Sequence, residues 1–227
     1  MFATDIFKFY KSLTPPTGLP KDIEVLYPQQ DAAVMKLVKT FLDKYYSDDN
    51  PRTLILGINP GRFGAGATGI NFTATKQLTQ YCGISHTLKQ QSELSAEFIY
   101  EMITRYGGCE SFYNHFFISS VSPLGFVKEE KNINYYDDKK LQEAVLPFII
   151  QCINEQYKWN INRKTCICLG GEKNYKFLAA LNQQHKWFGE ILALPHPRFI
   201  LQYRRKQKEE YIQQYLDSLH HANATIL

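Results

Sequence analysis

A glycine-rich segment around one asparagine, Asn59, is the stretch of this 227-residue chain best suited to chemistry. It runs from Gly57 to Gly69, contains five glycines and directly follows a short apolar run. Glycine lets the backbone adopt positive φ or approach a ligand closely, so the segment predicts a binding loop. A phosphate cradle is one interpretation, although the segment fits neither the dinucleotide-binding fingerprint nor the P-loop and lacks the P-loop lysine. A Gly/Asn/Pro turn without function is the other.

A histidine between two prolines, His196, is the second candidate, because it follows the last apolar run of the chain. Taken alone, a histidine in a turn is more often structural than catalytic. A basic cluster lies close behind it: Arg204, Arg205, Lys206 and Lys208. These side chains suit phosphate contacts, which would make binding depend on salt. The alternative is the solvated start of a helix, with Glu209 and Glu210 as partners.

The two segments together resemble a known enzyme family. Gly57-Ile58-Asn59-Pro60-Gly61 is similar to the first signature motif of the uracil-DNA glycosylase superfamily. Phe63-Gly64, Thr68-Gly69 and Phe72 continue the match without gaps, with the spacing of the single-strand-selective monofunctional branch. His196-Pro197 resembles the second signature motif. The chain is therefore identified as a divergent, bacterial member of this superfamily, closest to that branch.

The resemblance implies roles for Asn59 and His196. Cleavage of an N-glycosidic bond passes through an oxocarbenium-like sugar, which needs only a weakly activated water. Asn59 would hold that water, because an amide can position it but hardly deprotonate it. We therefore expect Asn59→Asp to raise activity on good leaving groups. His196 would stabilise the departing uracil anion through its O2, as an oxyanion hole stabilises developing charge.

The resemblance also implies a base pocket. Phe72 would stack on the extruded base, although a core phenylalanine is the alternative, and backbone N–H groups near Phe63 would bond the base edge. Gly61 stands where other branches carry a bulky residue that excludes the thymine methyl. We therefore expect a roomier pocket that admits uracils altered at position 5.

Ser120 is the main departure from the family pattern. Anchored on Pro123-Leu124, the base-reading asparagine of the family falls on Ser120. A hydroxyl cannot present the paired donor and acceptor of an amide, so either specificity is relaxed or another amide substitutes. Asn132 and Asn134, in the predicted loop 131–137, are candidates, although an Asn-rich segment is more often a turn former.

A second departure follows His196. The family branch carries a wedge of the Ser-Pro-Arg-Asn type after its His-Pro, and this chain does not. Arg198, Phe199 or Tyr203 would fill the gap left by a flipped nucleotide, and the choice among them stays open. With Arg204, Arg205 and Lys206, Arg198 forms the predicted DNA-binding set.

The elements that position these residues follow from hydrophobic pattern. Four short, near-continuous apolar runs predict strands buried on both faces, at residues 53–58, 116–121, 165–169 and 190–194. Helical patterns lie before and between them, at residues 2–13, 31–46, 93–106, 139–156 and 173–182. We predict an α/β fold, a three-layer α/β/α sandwich with a central four-stranded, mainly parallel sheet. Its ligand site would lie at the carboxyl ends of the strands.

Composition sets the remaining expectations. The length favours one domain over residues 1–227, with a helical part at 1–50, a motif-bearing core at 51–205 and a C-terminal helix at 206–227. A net charge of +4 is compatible with a polyanionic partner. The five cysteines match no zinc or iron–sulfur spacing, so we expect them reduced, with no metal and no cofactor. Without a signal peptide or an apolar span, the protein should be cytoplasmic, or nuclear in a eukaryote, and away from membranes.

We therefore predict a monofunctional DNA glycosylase that hydrolyses the N-glycosidic bond of uracil, or of a related deaminated base, in DNA and leaves an abasic site. It should act as a monomer on single- or double-stranded DNA. Three alternatives stay open: a preference for xanthine or hypoxanthine, a non-catalytic damaged-DNA-binding protein, and a nucleotide-binding α/β protein.

Overall fold

The fold is described from a computed structural model that covers residues 1–226, so Leu227, the end of the predicted C-terminal helix, lies outside the described residues. Short 3₁₀ turns occupy Pro28–Gln30 and Arg205–Gln207. The helices and strands, in chain order, are α1 (Phe2–Ser12), β1 (Glu24–Leu26), α2 (Ala32–Tyr45), β2 (Thr53–Gly57), α3 (Ala65–Thr68), α4 (Thr75–Gln80), α5 (Leu94–Tyr106), α6 (Gly108–His115), β3 (Phe116–Ser120), β4 (Gly125–Lys128), β5 (Lys131–Ile133), α7 (Lys139–Tyr157), β6 (Thr165–Leu169), α8 (Gly171–His185), β7 (Glu190–Leu194), α9 (Pro197–Tyr203) and α10 (Lys208–Ala224).

A four-stranded sheet forms the centre of the molecule, in the order β3-β2-β6-β7, and all its neighbouring strands are parallel. The predicted fold class is thereby confirmed, and the four predicted strands match within one residue at each end. Burial on both faces holds for β2, β3 and β6. It is wrong for β7, where Leu194 is buried but the residues from Glu190 to Ala193 are partly or fully exposed; β3, the other edge strand, is buried throughout.

Helices cover both faces of the sheet. On one face, Ile55 and Ile167 share an apolar cluster with Ile99 of α5 and with Tyr215 of α10. On the other face, Phe117 of β3 packs edge-on against Phe2 of α1, with ring centroids 5.8 Å apart, and against Trp159 at the same separation. The three layers hold the sheet rigidly, so the loops at its carboxyl end start from fixed positions.

The long helices follow their sequence signals closely. Asp31 caps α2, since its Oδ1 accepts hydrogen bonds from the N–H groups of Ala33 at 2.7 Å and Val34 at 3.3 Å. Two helices depart noticeably. The helix α8 extends beyond the predicted residues 173–182 at both ends, and α10 is shorter than the predicted 206–227, because Lys206 and Gln207 belong to a 3₁₀ turn and the helix ends before Thr225. The helix α6 was missed, as were α3, α4 and α9, whose four to seven residues show too little periodicity for detection.

A second, three-stranded antiparallel sheet of order β1-β4-β5 was not predicted. The segment 131–137 was predicted to be a loop, and this is wrong for its first part, which forms β5. The turn between β4 and β5 places Glu129 and Glu130 at φ 48° and 59°, where hairpins normally use Asn or Gly. This hairpin places residues 132–135 beside the carboxyl ends of the central strands.

Candidate active site

The carboxyl ends of the central strands form one pocket of about 430 Å³. Strand register explains the convergence, because Gly57 at the end of β2 pairs with Ser120 at the end of β3, and β6 ends beside β7 at Leu169 and Leu194. The pocket brings together most of the predicted site residues: Asn59, Gly61, Phe63, Phe72, Ser120, Asn134, His196 and Arg198.

Three predicted residues stay outside the pocket lining, namely Arg204, Arg205 and Lys206, which are exposed just after α9. The suggested partnership with Glu209 is formed by Lys208, at 3.6 Å, and this carboxylate also pairs with Arg105 at 2.7 Å. Lys208 in turn bonds Glu101. Within residues 1–226, no carboxylate forms an ion pair with the three exposed cations.

Other lining residues were missed by sequence reasoning: Asn71, Glu93, Ser95, Tyr136, Gly170 and Gln202. The signal for Asn71 was its place directly before Phe72 inside the first motif. Glu93 gave no comparable signal, because it comes from the start of a helix far from both motifs in sequence.

Asn59 is held by the backbone that follows β5. Its Oδ1 accepts a hydrogen bond from the Tyr135 N–H at 3.0 Å, and its Nδ2 donates to the Ile133 carbonyl at 3.2 Å. The amide is therefore fixed in one orientation, with a second Oδ1 lone pair left for a water molecule. The gain in activity expected for Asn59→Asp now competes with repulsion between the new oxygen and the Ile133 carbonyl.

Tyr135 anchors the backbone that orients Asn59. Its side chain is fully buried, and its hydroxyl donates to Asn174 Oδ1 at 2.7 Å. Asn174 is also buried, and its Nδ2 bonds the Leu169 carbonyl at 3.0 Å, at the end of β6. This chain of contacts ties the position of the Asn59 amide to the central sheet.

His196 caps α9 and lines the pocket. Its Nδ1 accepts a hydrogen bond from the Arg198 N–H at 3.2 Å, so the neutral ring carries its proton on Nε2. Burial lowers the pKa of His196 from 6.5 to about 4, with Glu93 raising it and Arg198 lowering it less strongly. Near neutral pH the ring is thus an uncharged N–H donor.

Stability should depend on pH through His196. In the unfolded chain its pKa is about 6.5, whereas in the folded protein it is about 4. The unfolded state therefore binds more protons between these values, and the contribution of His196 is present above pH 6.5 and lost as pH falls through 4. We expect wild type to lose about 2 kcal/mol more unfolding free energy than His196→Asn between pH 7 and 4.5. Urea unfolding at both pH values measures this, and equal losses would contradict it.

Glu93 and Arg198 form an ion pair beside His196. The Arg198 Nη2 lies 2.9 Å from Glu93 Oε1, and the Glu93 side chain is only 10% exposed. Glu93 also caps α5, because its Oε2 accepts from the Ala96 N–H at 3.0 Å. The pair joins the start of α5 to α9 and so fixes the helix that His196 begins.

Phe72 has a left-handed backbone, with φ 52°, which is strained for an aromatic residue. Its ring lies 5.8 Å from that of His196 and packs over Gly57, where an added Cβ would come within 2.8 Å of Cε2. A glycine at 57 is therefore required for this ring position. Strain at a pocket residue is typical of a functional constraint.

The space beside Gly61 is already occupied. A Cβ added at Gly61 would lie 3.1 Å from Nδ2 of Asn132, whose Oδ1 accepts from the Arg62 N–H at 3.0 Å. The amide of Asn132 thus stands where a larger residue 61 would extend. The expectation that position 5 of the base is accommodated here stays a prediction.

No group of three His, Cys, Asp or Glu side chains within residues 1–226 is placed to hold a metal ion. Over the same residues, no helix is both long and apolar enough to cross a membrane.

Comparisons with known proteins agree with this geometry. Residues 44–220 match the family model of the Uracil DNA glycosylase superfamily. The fold is similar to the crystal structure of wild-type SMUG2 from Pedobacter heparinus, with a TM-score of 0.95, 46% sequence identity and 98% of each chain covered. A search of curated proteins found no match.

Proposed function

Since the chain belongs to the uracil DNA glycosylase superfamily and is a monofunctional uracil-DNA glycosylase, we propose that Asn59 and His196 carry out its reaction. One observation carries this proposal. Both side chains follow the ends of parallel strands and line a single pocket together with the aromatic ring of Phe72. The expected likeness to the single-strand-selective monofunctional branch is confirmed by the similarity to SMUG2.

The proposed mechanism divides the work between the two residues. Asn59 Oδ1, fixed by Tyr135 N–H, holds a water molecule against C1′ of the sugar. The C1′–N1 bond breaks first, and the electron pair leaves with uracil as an anion while the sugar becomes oxocarbenium-like. His196 donates a hydrogen bond from Nε2 to uracil O2, where negative charge develops. Water then bonds to C1′ and releases a proton to solvent, and the uracil anion takes up a proton from solvent, which gives free uracil and an abasic site.

The uncharged form of His196 suits the departure of the uracil anion. A neutral donor stabilises the uracil anion without transferring its proton, and the pKa of about 4 keeps the ring in this form at neutral pH. Phe72 would stack on the base, which contributes roughly 1–3 kcal/mol for base–aromatic contacts.

DNA is the substrate, and we propose that it binds across the pocket mouth. The described residues include five large hydrophobic side chains that are exposed, and three of them lie at this mouth, namely Phe63, Phe199 and Tyr203. Exposed aromatic rings suit stacking with unpaired bases. Phe199 and Tyr203, with ring centroids 5.7 Å apart, are the aromatic wedge candidates, and both are exposed. Arg198 is committed to Glu93, which makes it a weaker candidate.

Arg204, Arg205 and Lys206 would bind phosphates beside this mouth. We expect Arg204→Ala/Arg205→Ala to reduce the slope of log K against log salt by about 0.7 for each phosphate of single-stranded DNA that is no longer neutralised. Fluorescence anisotropy at several salt concentrations measures the slope. As a control, Lys158→Ala removes a cation just after α7 that pairs with Glu155 at 2.6 Å, and it should leave the slope unchanged. An unchanged slope in the double variant would remove the phosphate assignment.

We also propose that the chain acts as a single-domain monomer in the bacterial cytoplasm. One buried cluster extends from Phe2 in α1 to Ala222 in α10, so the first 50 residues share the core of the motif-bearing part. Three of the four exposed aromatic residues among the described residues, Phe63, Phe199 and Tyr203, gather where DNA would cover them. The comparisons give no support to a purine preference, to a non-catalytic protein or to a phosphate-binding loop.

The test is release of base from oligonucleotides that carry one uracil, single-stranded and duplex, followed by alkali cleavage at the abasic site. Xanthine and hypoxanthine oligonucleotides rank the bases in the same assay. Uracil-dependent cleavage is the expected result. Intact oligonucleotides together with retained DNA binding would reject the proposed mechanism.

A further inference from the structure

Two pocket residues, Ser120 and Asn71, take no part in the mechanism above. Ser120 ends β3 and is 2% exposed, and Asn71 precedes Phe72 and is 8% exposed. Both line the pocket, and the Ser120 hydroxyl donates to Asn71 Oδ1 at 2.9 Å. An amide therefore lies next to the Ser120 hydroxyl at the end of β3.

The surroundings of Asn71 fix which way its amide points. Its Nδ2 faces the Ile118 carbonyl at 3.4 Å and the Tyr10 hydroxyl at the same distance. A carbonyl only accepts hydrogen bonds, so the NH₂ group must face Ile118 and the oxygen must face Ser120. The amide oxygen in turn only accepts, which obliges the Ser120 hydroxyl to donate to it.

The direction of this bond determines what Ser120 offers to a ligand. A serine hydroxyl has one proton and two lone pairs. With its proton held by Asn71, the Oγ atom presents only lone pairs to the pocket. Ser120 thus behaves as an acceptor, although a free hydroxyl would turn to suit either a donor or an acceptor.

We propose that Asn71 is a positioning residue for base specificity, which holds the Ser120 proton away from the base so that Oγ accepts the N3–H of uracil and rejects cytosine. This rests on the proposed function. Uracil carries a donor at N3, whereas cytosine carries a lone pair there, so the cytosine N3 would face an acceptor with no proton between them. The Ser120 hydroxyl, with its proton direction fixed, then supplies the acceptor that a base-reading amide would otherwise provide.

A double-mutant cycle on the full chain tests the proposal. The variants are Asn71→Leu, which keeps the volume and removes both hydrogen bonds, Ser120→Ala, and the two combined. Single-turnover release from single-stranded oligonucleotides with one uracil or one cytosine is measured for each. Asn71→Ala is measured alongside Asn71→Leu, because the smaller alanine side chain cannot clash with its neighbours. Thermal unfolding verifies that each variant is folded.

In the Ser120 background, we expect loss of the Asn71 amide to lower the ratio of uracil to cytosine release about tenfold, because the freed hydroxyl can turn its proton toward the N3 lone pair of cytosine. In the Ser120→Ala background the same change should have little further effect, because no hydroxyl remains to be directed. Equal effects in both backgrounds, or an unchanged ratio in the Ser120 background, would show that Asn71 only packs and would overturn the proposal. Wild type that releases no uracil would instead reject the proposed function itself.

Discussion

Replacing His196 by Asn should slow uracil release by about 100- to 1000-fold, the effect typical of removing one donor from an oxyanion hole. The loss arises because the Asn NH₂ group is shorter in reach than the imidazole, so no donor stands at the position of Nε2 to stabilise the leaving uracil anion. Asn keeps an acceptor near the position of Nδ1, so the Arg198 N–H can still be capped. Single-turnover kinetics at pH 7.5 measures the rate.

The matched control for this substitution is His185→Asn, which removes an exposed imidazole at the end of α8 that stacks on Trp187. The control should release uracil at the wild-type rate. A His196→Asn protein that binds DNA normally and reacts within a few-fold of wild type would contradict the leaving-group role.

Asn59→Ala should slow the reaction by about 100-fold or more, since a reactant displaced by about 1 Å can already cost this much. The variant loses the oxygen that holds the water. It also leaves the Tyr135 N–H without its acceptor, which should cost about 1–3 kcal/mol of unfolding free energy. Uracil release under single-turnover conditions and urea unfolding together measure both effects.

A control for this second substitution is Asn114→Ala, which changes an exposed asparagine that bonds Asn50 at 3.0 Å, outside the pocket. It should leave the rate unchanged. If Asn59→Ala lost stability but kept its rate, the role of Asn59 would be to hold the backbone at Tyr135 rather than to hold water.

The central sheet was predictable because its signal is local. Each parallel strand is a short apolar run, and the site follows from the rule that the carboxyl ends of such strands meet at one edge. The edge strand β7 carries a similar apolar pattern, so sequence alone did not distinguish its partial exposure. Asn59 and His196 were found through motif spacing, and the fold then brought them together.

The rest depended on contacts between distant segments. The hairpin of β4 and β5 turns at Glu129 and Glu130, and this pair of residues is not a typical turn sequence. The sequence therefore did not predict the hairpin, nor the backbone after it that orients Asn59. The sequence pointed to Asn132 and Asn134 as substitute amides, yet it is Asn71, directly before Phe72, that contacts Ser120. Likewise, Arg198 was predicted to bind DNA because the sequence did not indicate its ion pair with Glu93, which is distant in sequence.

The most direct test of the central claim is single-turnover release of uracil by wild type and by the double variant Asn59→Ala/His196→Asn, at enzyme concentrations that saturate the DNA in both. Wild type should produce an abasic site at the uracil position, and the double variant should produce at most a trace of it, while both proteins bind the oligonucleotide equally. Comparable release by the two proteins would contradict the central claim and would place the reaction on other residues of the pocket.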